Sequence, residues 1–583
     1  MALSTLDLIL VALYIGVVIA IGFFLSKKAG QNLTEYFLSG RKTPWYLAGI
    51  SMVATTFAVD TPLAVTELVH QEGIAGNWLW WNFLIGGMLT VFFFSKLWRR
   101  SGVLTELEFT ELRYSGKRAK FLRVFRAIYL GLFMNILIMG WVSLAFLSIL
   151  EILFGLSSGE ALLFLGLTLL LIGFYSILSG LKGIMVNDAL QFVIAMTGCI
   201  VLAVYVLNTP EVGGISGIKS KLPEEATSFF PDIALNSAME NGRALTLGIG
   251  SFLAYLGLQW WMAWYPGSEP GGGGYIAQRM MSTPDEKSSF WATFTFQIAH
   301  FCIRPWPWII VALAVPILYP DLTEENAREG FVMAMTDFLP SGWLGLMFVA
   351  FLAAYMSTIS THLNWGASYL VHDVAKRFYP DAQVNWVAFS RLVTLGLLIL
   401  AFIAASVFET ITGVWFFVIE ASAGIGAVLI FRWYCWRINA WSEITATIAP
   451  LVFSVIFKIF LNYEFPDSFF LIIACTTVSW LIVTLLTPPE PEQHLKSFVQ
   501  KVKPAGNWKN LYQKADMAYP YSRFHLLKLT GGWLSAVICA YSFLFGMGSF
   551  ILLEPLQGLA YTVAFLASLG ILICLIKFLR MLD

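Results

Sequence analysis

The sequence predicts an all-α protein that crosses a membrane many times. Of its 583 residues, 58% are hydrophobic and only 12% are charged, whereas soluble domains carry about twice that share of charge. The apolar residues collect into runs of about 20, the length that an α-helix needs to cross a bilayer. The longest stretch between two such runs, 488–528, has about forty residues and leaves no room for a large soluble domain.

Fifteen apolar runs are long enough to be predicted as transmembrane helices. The first run has no basic flank before it and no small-residue cleavage site after it, and it is longer than most signal-peptide cores. We therefore expect it to be retained as a span. In chain order the predicted spans are 6–25, 45–69, 77–97, 125–154, 160–181, 187–207, 243–265, 289–318, 340–374, 386–408, 412–436, 441–461, 468–487, 529–551 and 557–579.

Lysine and arginine residues predict the orientation, because cytoplasmic loops are enriched in them. If the N-terminus lies outside, the inside loops hold Lys27 and Lys28, then nine basic residues between 96 and 126, and later seven between 496 and 528. The outside loop 319–339 is acidic instead. Fifteen spans then place the C-terminus in the cytoplasm. We expect a multi-pass protein of the plasma membrane, with the lipid bilayer as its surroundings.

Several functional classes are disfavoured by what the chain lacks. The 36 basic and 36 acidic residues balance, which gives no indication of a nucleic-acid partner. No phosphate-binding GxxxxGK[ST] motif and no HExxH motif occur, so neither an ATP-driven pump nor a zinc enzyme is expected. The six cysteines form no CxxC pair, and we predict no disulfide framework and no zinc site.

The span 340–374 is unusually polar in its second half, AAYMSTISTHLNWGAS at 353–368. Ser357, Ser360 and Thr361 follow the i, i+3, i+4 spacing and share one helix face, and Thr358 lies on the adjacent face. A single hydroxyl in a membrane helix most often bonds to a carbonyl one turn earlier or to a neighbouring helix. Four hydroxyls within five residues indicate instead that this helix contributes ligands.

Two other spans carry carboxylates. Asp60 lies within SMVATTFAVDTP, next to Pro62, which removes a backbone donor. An ionised group at this depth costs at least about 2.5–3.5 kcal/mol and normally faces a cavity or a partner, although a simple proline kink is the alternative. Asp188 follows Asn187 in SGLKGIMVNDALQF, where a helix N-cap is the alternative. Carboxylate, hydroxyl and freed carbonyl oxygens together favour an alkali cation over a transition metal.

Four segments of the chain occur together, in this order, in one known family: YFLSGRKTPWYLAG, SGLKG followed by ND and Q, the QR of YIAQRMM, and AAYMSTISTHLN. Over about residues 5–440 the chain resembles the sodium/solute symporter family, the family of the sodium–glucose cotransporters. The resemblance implies a leucine-transporter-like core of ten helices in two inverted repeats of five. The implied divisions are 1–44 with the first span and a cytoplasmic loop, 45–207 with repeat one, 208–437 with repeat two, and 438–583 with four accessory spans.

The resemblance also implies where sodium binds. Matched by position, the sodium site shared across the family consists of the backbone carbonyls of Ala54, Phe57 and Ala354 and the hydroxyls of Ser357 and Thr358. A second sodium site, present in some members, corresponds to Asp188, Ser360 and Thr361. The sequence departs from the family pattern in PGSEPGGGG at 266–274, where the family has a shorter link, and this insertion leaves the gating residues open.

The resemblance places the solute between the broken first and sixth core helices, 45–69 and 243–265. Aromatic and flat polar side chains there suit a sugar-like solute, which we rank first, whereas the charged and histidine side chains suit an amino acid or an organic acid. Proton coupling is a further alternative, and a membrane sensor or a membrane-embedded enzyme is a remote one. The predicted solute-binding residues are Asp60, Thr61, Trp80, Asn82, Gln259, Trp260, Trp264, His300 and Glu420, with Trp261 and Arg304 as further candidates.

Overall fold

The computed structural model describes residues 3–231, 249–324, 326–406 and 412–578. Within these residues the secondary structure is helical, apart from a single β-bridge between Cys435 and Asn507. The beginning of the predicted span 243–265 and the ends of 386–408 and 557–579 lie outside the described residues.

Eleven described helices are long and apolar enough to cross a membrane, or twelve if one bent pair is counted as a span. This agrees with the predicted all-α membrane protein, but it does not confirm the number of fifteen. The helices that form the membrane part are α1 (Thr5–Lys27), α2 (Trp45–Thr56), α3 (Thr61–Glu72), α4 (Ile74–Ser101), α5 (Gly116–Phe154), α6 (Ser158–Leu207), α7 (Gly274–Ser282), α8 (Glu286–Leu318), α9 (Trp343–Phe378), α10 (Trp386–Ala405), α11 (Thr412–Ala421), α12 (Ile425–Tyr434), α13 (Ala440–Phe460), α14 (Asp467–Leu486), α15 (His525–Ile551) and α16 (Pro555–Lys577).

Helix α6 contains two of the predicted spans. Its 50 residues would measure roughly 75 Å if straight, far more than the roughly 30 Å of a bilayer core. The chain changes direction at Gly180, whose φ of 56° and ψ of −163° are not helical. A Cβ atom at this position would lie 2.8 Å from the Tyr36 carbonyl oxygen. Glycine is therefore needed both for the backbone conformation and for the close approach.

The predicted span 412–436 is interrupted. Helix α11 ends at Ala421 and α12 starts at Ile425, and the Gly424 backbone N–H between them donates a 2.8 Å hydrogen bond to the Met262 carbonyl oxygen. The described part of 243–265 is continuously helical from Ile249 to Met262, with a widened turn at Tyr255–Gln259. The interruption divides 412–436 into two helices that are each shorter than a span.

Helix α9 is the centre of the molecule. Almost every side chain from Leu344 to Ser368 is buried, and the helix packs against α6, α1, α10, α5 and α2. The polar stretch predicted from the sequence therefore faces protein and not lipid. At the other extreme, α16 packs chiefly against α15 and exposes Leu556, Val563 and Leu566.

Candidate functional site

The site begins where the chain breaks between α2 and α3. The two helix axes are bent by 58° across this break. Pro62 lies in the first turn of α3, where a missing N–H costs no helical hydrogen bond. On the α2 side, the Phe57 N–H donates to the carbonyl oxygens of Val53 at 2.9 Å and Ala54 at 3.1 Å. Beyond them the helix hydrogen-bond ladder stops, so backbone oxygens are available next to α9.

The residues of the predicted first sodium site meet at this break. Thr358 Oγ1 on α9 lies 3.0 Å from the Thr55 carbonyl oxygen and 3.2 Å from the Ala354 carbonyl oxygen. Ala354 and Thr358 are thus brought against the α2 end that carries Ala54 and Phe57. Ser357 turns away and donates to Asp188 instead, at 2.6 Å. The Thr55 carbonyl was not predicted, because the sequence does not show which backbone oxygen a kink turns inward.

The residues of the predicted second sodium site surround an arginine. Asp188 on α6 accepts hydrogen bonds from Ser357 and from Ser51 Oγ at 2.5 Å. Arg279 Nη2, on α7, lies 3.7 Å from Asp188 Oδ2 and donates to Thr361 Oγ1 at 2.6 Å. Ser360 donates to the Ser357 carbonyl oxygen at 3.1 Å. The Arg279 guanidinium group therefore lies next to the Asp188 carboxylate, at the position where the sequence predicted a second sodium ion.

The position of Arg279 is well supported on its other sides. Its Nε atom donates to Ser51 Oγ at 3.2 Å, and its Nη1 atom donates to Gln278 Oε1 at 3.0 Å. The side chain is fully buried. A sodium ion about 4 Å from this guanidinium would be repelled by roughly 4 kcal/mol at the effective dielectric constant of a protein. The sequence analysis used the QR motif only as a family feature and assigned no partner to Arg279.

A cavity of about 90 Å³ lies on the other side of the α2–α3 break. Four of the predicted solute-binding residues line it, namely Asp60, Thr61, Trp80 and His300. Arg304, a further candidate, lines it as well. Lining residues that the sequence analysis missed include Thr56, Trp141, Tyr265, Tyr275, His362 and Trp415. Thr55 and Thr358, which meet at the predicted first sodium site, also line the cavity.

Helix α8 presents His300 and Arg304 to the cavity through a widened turn at Ala299–Ile303. Pro305 follows directly and cannot donate a backbone hydrogen bond, which is why the helix loosens here. His300 Nδ1 lies 2.8 Å from Thr56 Oγ1, and Arg304 Nη2 lies 3.4 Å from His300 Nε2. Because Arg304 can only donate, Nε2 is an acceptor and the imidazole proton is on Nδ1.

Five of the predicted solute-binding residues do not line this cavity. Glu420 is turned toward α13 and α14, where it pairs with Lys458 and accepts a 2.5 Å hydrogen bond from Ser468. Trp264 is buried beside Ser422, whose hydroxyl accepts from the Trp264 N–H at 3.0 Å. Glu420 thus joins α11 to α13 and α14, and Trp264 is joined to the break between α11 and α12. No local sequence pattern distinguishes such contacts from contact with a solute.

The other three stabilise irregular backbone. Asn82 Nδ2 donates to the Trp78 carbonyl oxygen at 2.9 Å, and Gln259 Nε2 donates to the Leu79 carbonyl oxygen at 2.9 Å. Trp260 Nε1 donates to a carbonyl oxygen one turn earlier in its own helix, and the ring packs against Trp533 of α15. Their side chains thus hydrogen-bond to backbone within the irregular turns of the helical segments 74–101 and 249–262.

A buried network of charges lies under the insertion 266–274. Arg126 of α5 pairs with Glu106 at 3.0 Å and also with Glu443 of α13. Arg432 pairs with the same Glu443 oxygen at 2.9 Å. The Gly274 N–H donates to Glu106 Oε2 at 2.7 Å, which attaches the insertion to the network. None of these residues was predicted as part of a site: Arg126 and Arg432 were considered only as basic residues that indicate orientation, and Glu106 and Glu443 were not considered.

The glycine run explains how the insertion can lie so close to the network. Gly272 has a φ of 73°, and a Cβ atom there would lie 2.8 Å from the Thr90 side chain and 3.1 Å from the Trp98 indole nitrogen. The Trp98 indole N–H in turn donates to the Gly271 carbonyl oxygen at 2.9 Å. The insertion is therefore backbone packed against the C-terminal half of α4.

Comparison with known proteins adds a family match and several relatives. The model of a family described as "Sodium:solute symporter family" matches residues 36–449. A sodium/glucose cotransporter of Vibrio parahaemolyticus is 26% identical over 518 residues, which cover 83% of this chain and 91% of that protein. A sodium/sialic acid symporter, NanT, of Aliivibrio fischeri is 24% identical over 64% of this chain and 70% of its own length.

A solved structure has the same fold. It is the substrate-bound outward-open state of a Na⁺-coupled sialic acid symporter, with a TM-score of 0.67, and the match covers 84% of this chain and 99% of that one. The sequence identity is 19%, so this likeness concerns the fold alone.

Proposed function

The chain belongs to the sodium:solute symporter family, and on that basis we propose that it carries a small polar organic solute across the membrane together with sodium, by alternating access. The family match confirms the resemblance predicted from the sequence, and the relatives are transporters and not enzymes. The proposal depends on one observation. Thr55 and Thr358 line the solute cavity and also belong to the candidate cation site, so the two sites have residues in common.

The sodium ion is proposed to bind between the α2 end and α9. A sodium ion that sheds its water needs oxygen atoms in return. Three oxygen atoms lie close together here, because the carbonyl oxygens of Thr55 and Ala354 are both within hydrogen-bond distance of the Thr358 hydroxyl. Ala54 and Phe57 are adjacent to them. Proton coupling, the alternative, needs no such set of carbonyls. We propose a single sodium ion, because Arg279 takes the second position.

Coupling follows from the same helix end. Arg304 donates to the Val53 carbonyl oxygen at 3.3 Å and to Thr56 Oγ1 at 3.2 Å. A cation bound at Thr55 and Thr358 orders the end of α2, and with it the residues that hold Arg304 in the cavity. Each ligand thus stabilises the arrangement that the other requires, which is the condition for reciprocal coupling.

The finer architecture is part of the proposal. Counting the bent pair α2–α3 as one span gives twelve, and α6 taken as two spans, α11 with α12 as one, and 249–262 as one bring the number to fifteen. The bent α2–α3 pair and the helical segment 249–262 are the first and sixth helices of two inverted five-helix repeats, 45–207 and 208–437. The outside N-terminus, the cytoplasmic C-terminus and the plasma membrane location are proposed from the distribution of basic residues.

The solute class has two lines of support. A sugar-like solute, ranked first from the sequence, is supported by relatives that are named for sugars. The charged side chains Asp60 and Arg304 in the cavity favour the class ranked second, the amino acids and organic acids.

The sodium site is tested by Thr358→Val with Thr358→Ser as its matched control. Purified protein is unfolded thermally at increasing sodium, with potassium replacing sodium at constant ionic strength. Wild type and Thr358→Ser are expected to be stabilised by sodium as RT ln(1 + [Na⁺]/Kd). In Thr358→Val the sodium Kd is expected to rise roughly tenfold or more, because a hydroxyl ligand to a charge is lost.

Comparing each variant with itself in potassium separates the loss of sodium binding from the direct effect of the substitution on stability. Equal unfolding midpoints in sodium and potassium for the wild type, or an unchanged sodium response in Thr358→Val, would remove the support for this site.

A further inference from the structure

The solute cavity contains one negative and one positive side chain that do not neutralise each other directly. Asp60 and Arg304 are the Asp, Glu, Lys or Arg residues among its lining, and they are 3% and 2% exposed. Within the described chain, no ion pair of 4.0 Å or less joins them. Two buried charges that share a cavity without touching are costly to the protein alone, and a ligand with complementary charges compensates both.

The arginine presents an edge that suits a carboxylate. Its guanidinium carbon lies 6.0 Å from the centre of the Phe57 ring and 5.2 Å from that of the Trp308 ring, and these two rings pack against each other at 4.9 Å, so they support the group from one side. The Nη1 atom is used by Val53 and Thr56. The Nε atom has no hydrogen-bond partner, and the Nη2 atom makes only the long contact to His300. Nε and Nη2 form one edge, which binds a carboxylate through two parallel hydrogen bonds.

The aspartate presents an acceptor that suits a cation. Asp60 takes a side-chain hydrogen bond from Trp141, while its Oδ1 atom has no hydrogen-bond partner. Aromatic rings line the same cavity, among them Trp80, Trp415 and Tyr265. A carboxylate surrounded by aromatic faces is the setting in which proteins bind substituted ammonium groups, by charge and by cation–π attraction.

The other titratable groups in the lining do not change this pattern. His300 is a neutral imidazole between Thr56 and Arg304, and His362 directs its Nδ1 atom to Asn135 Oδ1 at 2.7 Å. The cavity is also small, about 90 Å³ against roughly 300–1,000 Å³ for common ligand pockets. It therefore suits a compact ligand with its two charges close together.

We infer that the solute is a small zwitterion, an α-amino acid or a betaine, whose carboxylate binds Arg304 and whose ammonium group binds Asp60. The inference rests on the proposed sodium-coupled transport and names the solute class of that same cavity. It also gives the bound solute no net charge, so that the cavity with its ligand contains two satisfied ion pairs.

The test uses ligands that differ by a single charge, on the unmodified protein. Binding of L-alanine, L-proline and glycine betaine to purified protein in sodium is measured by the shift of the thermal unfolding midpoint and by calorimetric titration. Propionate lacks the ammonium group of L-alanine, L-alaninamide lacks its carboxylate, and D-glucose represents the sugars. At least one zwitterion is expected to bind, and removing either charge is expected to weaken binding roughly tenfold to a hundredfold.

Two variants assign each charge to its residue. Asp60→Asn is expected to abolish the preference for L-alanine over propionate, and Arg304→Gln the preference for L-alanine over L-alaninamide. Glu420→Gln, a buried carboxylate outside the cavity, is the matched control and is expected to keep both preferences. Each readout is a ratio of two ligands on the same protein, so reduced stability of a variant does not imitate the result.

The outcomes separate this inference from the proposed function. If sodium stabilises the protein but no zwitterion binds, or if D-glucose or propionate binds as well as the best zwitterion, the zwitterion is excluded and sodium coupling stands. If sodium has no effect at all, the proposed function fails and the inference fails with it.

Discussion

Replacing Arg279 with methionine is expected to destabilise the protein by roughly 3–5 kcal/mol, the usual cost of removing one partner of a buried ion pair. Asp188 would keep its hydrogen bonds from Ser51 and Ser357 but would lose the only positive charge within 4.0 Å among the described residues. The unfolding midpoint in potassium measures the loss. The double variant Asp188→Asn with Arg279→Met removes both charges and is expected to recover a large part of it.

Sodium provides a second readout for the same variant. With the guanidinium gone, Asp188, Ser360 and Thr361 present oxygen atoms to a position without a cation, and sodium is expected to stabilise Arg279→Met more steeply than the wild type. The double variant lacks the carboxylate and is expected to return to the wild-type dependence on sodium. If Arg279→Met unfolds at the wild-type temperature and with the wild-type sodium dependence, Arg279 does not compensate Asp188.

Replacing Arg126 with methionine is expected to cost roughly 3–5 kcal/mol as well. Arg126 is about 1% exposed and lies between Glu106 and Glu443, and Arg432 alone would then face both carboxylates. Arg118→Met on the same helix is the matched control: Arg118 is exposed and contacts the Trp441 ring, so its loss is expected to cost less than about 1 kcal/mol.

The comparison is made on the unfolding midpoints of the two variants and on their yields of folded protein. Equal losses for Arg126→Met and Arg118→Met would show that the network under the insertion does not hold the helices together. A much larger loss for Arg126→Met would identify it as a clamp among α5, α12 and α13.

Hydropathy and periodicity predicted the membrane class and the approximate positions of most long helices, because both depend on each segment by itself. They placed a boundary between the spans 160–181 and 187–207, close to the break that the structure has at Gly180, but they did not predict the interruption within 412–436. The interruption at Ser422–Gly424 is accompanied by a hydrogen bond from the Gly424 N–H to the Met262 carbonyl oxygen, and Met262 is remote in sequence. A glycine in an apolar run does not show whether another backbone lies against it.

For the candidate site, too, the sequence predicted features that depend on one segment and missed contacts between remote segments. The polar face of α9 predicted the hydroxyl groups, but not that Ser357 donates to Asp188 or that Arg279, 91 residues beyond Asp188, lies beside that carboxylate. Among the buried carboxylates, Glu420 and Asp60 looked alike in sequence. Glu420 has Lys458 and Ser468 as partners from the accessory spans, and Asp60 lines the cavity. The type of a residue and its depth in the membrane can be inferred from the segment that contains it, whereas its interaction partners come from segments that are remote in sequence.

The tethered guanidinium beside Asp188 has an electrical consequence. A charge that belongs to the chain returns with every cycle, so it carries no current across the membrane. With one mobile sodium ion and a solute of zero net charge, each turnover would move a single elementary charge. A membrane potential of about 100 mV then contributes about 2.3 kcal/mol per cycle, roughly a fiftyfold accumulation of solute in addition to that from the sodium gradient. Transport would therefore be electrogenic, with one elementary charge crossing the membrane in each cycle.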